Sequence, residues 1–352
     1  MTLLCRHFGV CGGCAHQDMQ GADYRAYKRA LVADALVRHG IYTAVDEIVE
    51  VPPSTRRRAT LKARKGESGV ALGFHAAGTH DICDLHECLV LTPRLVALVP
   101  RLREMLGALL RPGEFAELRL ADIEGGVDLS LRWQKTNDAA MTAELARWAA
   151  KLGLARIARH GETLIERARP SVRLGKAELL VPSEAFLQPT REGEAALQAF
   201  VLEALAGAKN VADLFCGCGT FALPLAERAR VHAVDLEAAM LEALADAARR
   251  TSGLKPITTE KRNLFRRPLT ESELAKFDAV SLDPPRAGAL AQVHRLAESK
   301  IKRVAYVSCD AETFARDARV LIGGGYRLSR VQPVDQFLWS DHIELAASFE
   351  RG

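Results

Sequence analysis

From about Pro182 onward, apolar strand-like runs at 210–215, 230–235, 278–283 and 303–307 alternate with helical patterns at 190–206, 237–250, 289–298 and 311–321. Short, nearly continuous apolar runs fit strands buried on both faces, and their alternation with helices implies right-handed βαβ units and a parallel, doubly wound sheet. Two further runs, near 326–333 and 342–350, have no helix between them and predict an antiparallel finish. In open α/β sheets ligands bind outside the carboxyl ends of the strands. Three of these strands end in residues suited to ligands or chemistry. Val211-Ala212-Asp213-Leu214-Phe215 runs into Cys216-Gly217-Cys218-Gly219, another run ends in Asp283-Pro284-Pro285-Arg286-Ala287-Gly288, and Val304-Ala305-Tyr306-Val307 delivers Ser308-Cys309-Asp310.

The first half reads differently. Cysteines and glycines dominate residues 5–14, and a helix is expected from Asp23 to Arg38, stopped at Gly40. Residues 50–180 read as short, largely antiparallel strands with turns at Gly66-Glu67-Ser68-Gly69 and Glu124-Gly125-Gly126. Two helices interrupt them, one opened by Thr92-Pro93 and one around Met141 to Lys151. The expected organisation is an α+β domain over 1–180 and a doubly wound α/β domain over 181–352, with the helix near 23–40 able to pack on the second. The N-terminus has no signal-peptide pattern and no apolar run is long enough to span a bilayer, so a cytoplasmic protein with no membrane contact is expected. Eight cysteines in such a chain point to metal binding or catalysis rather than disulfides.

Gly217-Cys218-Gly219-Thr220-Phe221-Ala222 follows a strand and opens a helix, where backbone can approach a ligand closely. Asp235 ends the next strand, placed to bond a ribose diol. These features fit an adenosine-bearing cofactor without separating NAD from S-adenosylmethionine. Cys309 lies between a strand and a helix, where the helix dipole can favour a nucleophilic thiolate. Glu344 lies on the alternating final strand and faces either the site or solvent. Cys5, Cys11 and Cys14 (C-x5-C-x2-C), with Cys88 downstream, can hold zinc or an iron–sulfur cluster, with Cys83 as a second-choice ligand. Lysine and arginine outnumber acids 26 to 21 up to residue 180, against 22 to 23 afterwards. Six basic residues and no acid lie between Arg56 and Lys65. On a strand Arg56, Arg58, Lys62 and Arg64 share one face opposite Ala59, Leu61 and Ala63, which is either a stripe for RNA phosphates or a solvated sheet face.

Taken together, Asp-Leu-Phe-Cys-Gly-x-Gly, Asp-Pro-Pro-Arg-Ala-Gly, Val-Ser-Cys, the terminal His-Ile-Glu and the N-terminal cysteines resemble the RNA 5-methyluridine methyltransferase family of the TrmA/RumA type over nearly the whole chain. The resemblance implies a class I S-adenosylmethionine-dependent methyltransferase with a Rossmann-like sheet and an N-terminal α+β iron–sulfur and RNA-binding domain. It assigns Cys309 as nucleophile and Glu344 as base. Gln188, Phe215, Gly217, Gly219, Thr220, Asp235, Asn263 and Asp283 would surround the cofactor. It chooses a [4Fe–4S] cluster on Cys5, Cys11, Cys14 and Cys88, and 23S rRNA as substrate, with tRNA as the alternative. The family's small N-terminal β-barrel is not expected, and no protein partner is implied. The chain departs from the family pattern at Thr220 (Asn in several relatives), Asp235 (Glu) and Asp310 (Asn), the last setting a carboxylate beside the nucleophile. Two rivals use fewer of these motifs: an NAD-dependent oxidoreductase leaves Asp283-Pro284-Pro285 and Cys309 unexplained, and a non-catalytic iron–sulfur RNA-binding protein would tolerate loss of Cys309.

Overall fold

A computed structural model describes residues 4–19, 21–134 and 138–352. The chain begins with α1 (Gly21–Arg38) and β1 (Val49–Glu50). It then lays down β2 (Arg58–Lys65), β3 (Val70–His75), β4 (Ile82–Asp84), α2 (Pro93–Leu109), β5 (Phe115–Ile123), β6 (Gly126–Arg132), α3 (Ala139–Leu152), β7 (Leu154–Arg159) and β8 (Glu162–Glu166). These seven strands, β2 to β8, form one sheet in the order β4-β3-β2-β5-β6-β7-β8, antiparallel except where α3 crosses over to make β6 and β7 parallel. Thr92 caps α2 through its side chain and Pro93 opens it, as its sequence predicts. The apolar faces of α2 and α3 close one side of the sheet around Leu61, Leu72, Leu118 and Leu129.

After the hairpin β9 (Ser171–Leu174) and β10 (Ala177–Leu180) come α4 (Arg191–Ala204), β11 (Asn210–Leu214), α5 (Ala222–Leu225), β12 (Arg230–Asp235), α6 (Ala238–Arg250) and β13 (Ile257–Lys261). The chain ends with α7 (Glu271–Leu274), β14 (Ala279–Leu282), α8 (Leu290–Glu298), β15 (Arg303–Ser308), α9 (Ala311–Gly323), β16 (Arg327–Asp335) and β17 (Glu344–Glu350). Their sheet runs β1-β16-β17-β15-β14-β11-β12-β13, with β17 antiparallel to both neighbours. From β11 the chain builds outward to β12 and β13, then returns to the other side of β11 with β14. The switch point is therefore between β11 and β14.

The expected boundary at 180/181 is crossed twice. β1 pairs with the edge strand β16, and α1 buries Val32, Ala35 and Leu36 in the core shared with α8 and α9. The β9–β10 hairpin joins the opposite face of the same sheet through Val172, Leu174 and Leu179. A parallel sheet needs both faces covered and its edges closed, and these outlying segments do part of that work.

Candidate active site

At the switch point, the loop after β11 is set by backbone strain and by one acid. Phe215 adopts φ +60°, and Gly217 and Gly219 have φ +52° and +93°. A Cβ on Gly219 would lie 2.5 Å from Leu244 Cδ1, so glycine is required there for close packing against α6. Asp235 accepts from Gly217 N at 2.8 Å and from Glu237 N at 3.0 Å, locking two ligand-facing loops together. Asn263 Oδ1 accepts from Phe265 N and Arg266 N, shaping the turn after β13. Phe215 lies 5.3 Å from Phe265, which, like Leu236, is an exposed large apolar side chain. Open apolar walls beside a glycine loop and a strand-end acid fit an adenosine-bearing group. Thr220 is half-buried, and its carbonyl accepts from Gln198.

On the other side of the switch point stand the reactive groups. The β15–β17 ladder ends with Ser308 paired to Leu345, and Cys309 and Glu344 are the next residues along the two chains, near enough for Glu344 to raise the Cys309 thiol. Asp283 follows β14, its N–H bonded to Leu214 O at 3.3 Å. Glu344 is buried, not solvent-facing, and burial pushes its carboxyl up to about 7. Gln336 Nε2 donates to Glu344 Oε2 at 3.2 Å and to Gln188 Oε1 at 2.7 Å, so Gln188 reaches Glu344 through Gln336. Asp283 is raised well above the usual carboxylate range, by burial first and then by Glu344.

At Cys309 burial and nearby acids outweigh any favour from the start of α9. Burial, then the charges of Glu344 and Asp283, push the thiol up to about 11. Asp310 is not among the causes. Its carboxylate caps α9 by accepting from Thr313 N at 3.0 Å and faces Arg286 at 3.4 Å.

Several residues here escaped the sequence reading. Gln336 carries no motif. Asp213, pushed up to about 7 by burial, lies inside β11 and reads as part of an apolar run. Phe186 is exposed with the Arg58 guanidinium 4.4 Å from its ring centre, a pairing only the fold creates.

Cys5, Cys11, Cys14 and Cys88 line one cavity of about 380 Å³, together with Gln17, Arg56, Glu87 and Phe337. Backbone N–H groups of His7 and Gly13 point at the sulfurs of Cys5 and Cys11, at 3.5 and 3.4 Å. Burial and the neighbouring thiols push Cys14 up to about 11. Cys83 is outside this lining, its sulfur 3.7 Å from His7 Nδ1. Among the described residues no three His, Cys, Asp or Glu side chains form a group that could hold a single metal ion. The four thiols share one cavity lining without converging as the ligands of a single metal ion would.

The stripe on β2 alternates as expected, with Ala59, Leu61 and Ala63 buried. It is less free than the sequence implies. β5 sets Glu117 opposite Lys62 and the two pair; Arg58 donates to Leu187 O; Arg56 donates to Arg58 O and lies over Phe337. Arg64 is exposed. Arg56, Arg58 and Arg119 line a second cavity with Phe186, also of about 380 Å³. Burial and the charges of Arg56, Arg57 and Arg119 pull Arg58 down to about 10.

A doubly wound sheet with an adenosine-type loop at its switch point, beside a thiol and buried carboxyls, has the build of an S-adenosylmethionine-dependent methyltransferase. The family model described as tRNA (Uracil-5-)-methyltransferase matches residues 178–351. An uncharacterised RNA methyltransferase of Brucella suis is 47% identical over 350 residues, covering 99% of this chain and 84% of the relative. The 23S rRNA (uracil(1939)-C(5))-methyltransferase RlmD of Cronobacter sakazakii is 35% identical over 361 residues, covering 99% and 82%. The crystal structure of Pyrococcus abyssi tRNA (uracil-54, C5)-methyltransferase with S-adenosyl-L-homocysteine superposes with a TM-score of 0.74 at 22% identity. It covers 97% of this chain and 86% of its own, a likeness of fold. This chain belongs to the RNA uracil-C5 methyltransferase family, and it is an S-adenosylmethionine-dependent enzyme acting on RNA. Among the described residues no helix is long and apolar enough to cross a membrane.

Proposed function

We propose that this enzyme methylates carbon 5 of one uridine in 23S rRNA through a covalent bond between Cys309 and carbon 6 of the uracil. The observation that carries this is Cys309, just past the last rung of the β15–β17 ladder, within the field of a buried Glu344 and of Asp283 just after the neighbouring β14. Carbon 5 of uracil is a poor nucleophile. Cys309 loses its proton to solvent, and addition of the resulting thiolate to carbon 6 moves the ring's electron pair toward carbon 5 and the carbonyl, creating an enolate. S-adenosylmethionine, when bound, supplies an electrophilic methyl group, which carbon 5 takes. Glu344 then accepts the carbon 5 proton, and the returning electron pair expels the Cys309 thiolate. A carboxyl at about 7 suits this work, because a base poised near the working pH is both available and strong enough.

Gln188, Phe215, Gly217, Gly219, Thr220, Asp235, Asn263 and Asp283 would hold the cofactor. The open Phe215–Phe265 wall and the glycine loop support this. Arg56, Arg58, Lys62 and Arg64 would meet RNA phosphates. Of these Arg58, bonded to the Leu187 carbonyl and set over the exposed ring of Phe186, has the strongest support. Cys5, Cys11, Cys14 and Cys88 would bind a [4Fe–4S] cluster that ties the N-terminal loop to the molecule. Methyl transfer needs no electron from it. The 35% identical relative supports 23S rRNA as substrate, and the family's own description keeps tRNA as the alternative.

The test is tritium release from RNA labelled at uridine carbon 5, with 23S rRNA and tRNA in parallel. Release from rRNA that requires S-adenosylmethionine is expected. Release from tRNA alone would move the substrate, and Cys309→Ala with unchanged release would defeat the covalent route. For the cluster, the as-purified protein should carry about four irons and four sulfides per chain, and Cys88→Ser should lose them.

A further inference from the structure

Lys28 of α1 is fully buried, and its ammonium is turned into one segment of chain. It donates to the carbonyls of Phe337, Ser340 and His342 at 3.2, 2.9 and 2.5 Å, and lies 2.8 Å from the Asp335 carboxylate. The three carbonyls use all three N–H donors of the ammonium, and Asp335 supplies the counter-charge. One helical turn away, the Tyr24 hydroxyl donates to Asp335 Oδ2 at 2.5 Å and accepts from Trp339 N at 2.8 Å. Asp335 ends β16, and all the other partners belong to the connection between β16 and β17. Gln336 stands at one end of that connection and Glu344 at the other. The outer side of the same turn meets the cysteine loop, where Ala15 N and His16 N bond Trp339 O at 2.6 and 3.1 Å.

We propose that Lys28, with Tyr24 and Asp335, is a positioning device for the proton-removal step. It holds the 336–343 turn so that Gln336 and Glu344 face Cys309. The inference rests on Glu344 being the base. Burial pulls the Lys28 ammonium down in pKa, so its placement is costly, and an apolar side chain would fill the core as well. What an apolar side chain cannot do is donate to three carbonyls of one turn at once. Cys309 is carried by β15 and α9, which the clamp does not hydrogen-bond, so the two half-reactions should respond differently to its loss.

The experiment uses the full-length protein with Lys28→Met and Tyr24→Phe, and Glu344→Gln as reference. RNA containing 5-fluorouridine has no carbon 5 proton to remove, so it reports addition of Cys309 and methyl transfer alone by trapping the adduct. Ordinary RNA reports the whole cycle. Both clamp variants should trap fluorinated RNA within about twofold of wild type. Turnover of ordinary RNA should fall about tenfold or more for Lys28→Met and less for Tyr24→Phe. In both, methylated protein–RNA adduct should build up during turnover as in Glu344→Gln. Parallel loss of trapping and turnover in both variants would mean a merely structural role and overturn the proposal. If Lys28→Met does not fold, Tyr24→Phe decides: unchanged partition between trapping and turnover overturns it. Normal turnover by both clamp variants beside a stalled Glu344→Gln defeats the clamp alone. Normal turnover by Glu344→Gln defeats the base assignment and the clamp with it.

Discussion

Glu344 and Cys309 oppose each other electrostatically. While Glu344 is ionised it raises the thiol, and while it is protonated it cannot accept the carbon 5 proton. Turnover should therefore rise with pH through about 7, as a pH profile of kcat on labelled RNA would show, and a flat kcat across that range would contradict it. The same group makes stability depend on pH. Its folded pKa lies above the ordinary value of 4.5, so the native state binds the proton more tightly than the unfolded chain. Its contribution is complete below pH 4.5 and is lost as pH rises through about 7. Relative to wild type, Glu344→Gln should gain up to ~3 kcal/mol between pH 4.5 and 8, read from urea midpoints at both ends. At this scale the sequence singled out Cys309, after an apolar strand, and Glu344, in His-Ile-Glu, and the structure carries them at the adjacent ends of β15 and β17. The sequence did not reveal their ionisation, which depends on burial and on Gln336. It also misjudged Asp310, whose charge goes to capping α9 and to Arg286 rather than to the thiol.

At the scale of elements, the glycine loop shows why motif glycines differ. Gly219 and Gly217 both have positive φ, yet a Cβ at Gly217 meets nothing within 4 Å while one at Gly219 runs into Leu244. Gly219→Ala should cost about 2–4 kcal/mol and weaken S-adenosylmethionine binding, because α6 or the loop must move. Gly217→Ala should cost about 1 kcal/mol, the backbone strain alone. Urea unfolding and calorimetric titration of the cofactor separate the two, and equal effects would contradict the packing account. The strands of the parallel core were legible because burial on both faces leaves an uninterrupted apolar run, as at 210–214 and 303–308. β13 was not, since Ile257-Thr258-Thr259-Glu260-Lys261 forms an exposed edge whose residues carry no such run. β1, two residues long, exists only because β16 offers an edge to pair with.

For the whole molecule the question is how the β2–β8 sheet and the sheet built on β11–β17 keep a fixed relation, since chain from before residue 180 contributes to both. Arg57, the residue before β2, supplies a joint. Its guanidinium is buried against Glu194 of α4 at 2.7 Å and donates to Gln188 O at 3.0 Å, while its N–H bonds Pro189 O at 2.9 Å. Its carbonyl accepts from Asp122 N in β5 at 2.7 Å. One residue thus ties both sheets to the strand of chain that carries Gln188. Arg57→Met should cost about 3–5 kcal/mol, because Glu194 is left buried without its partner. Arg57→Met with Glu194→Met should recover most of that stability, since no charge is then stranded. The double variant still lacks the guanidinium bond to the Gln188 carbonyl. Its affinity for S-adenosylmethionine and its turnover should therefore stay depressed while its urea midpoint returns toward wild type. Recovery of both together would mean that the pair serves stability alone and that Gln188 is held by other contacts.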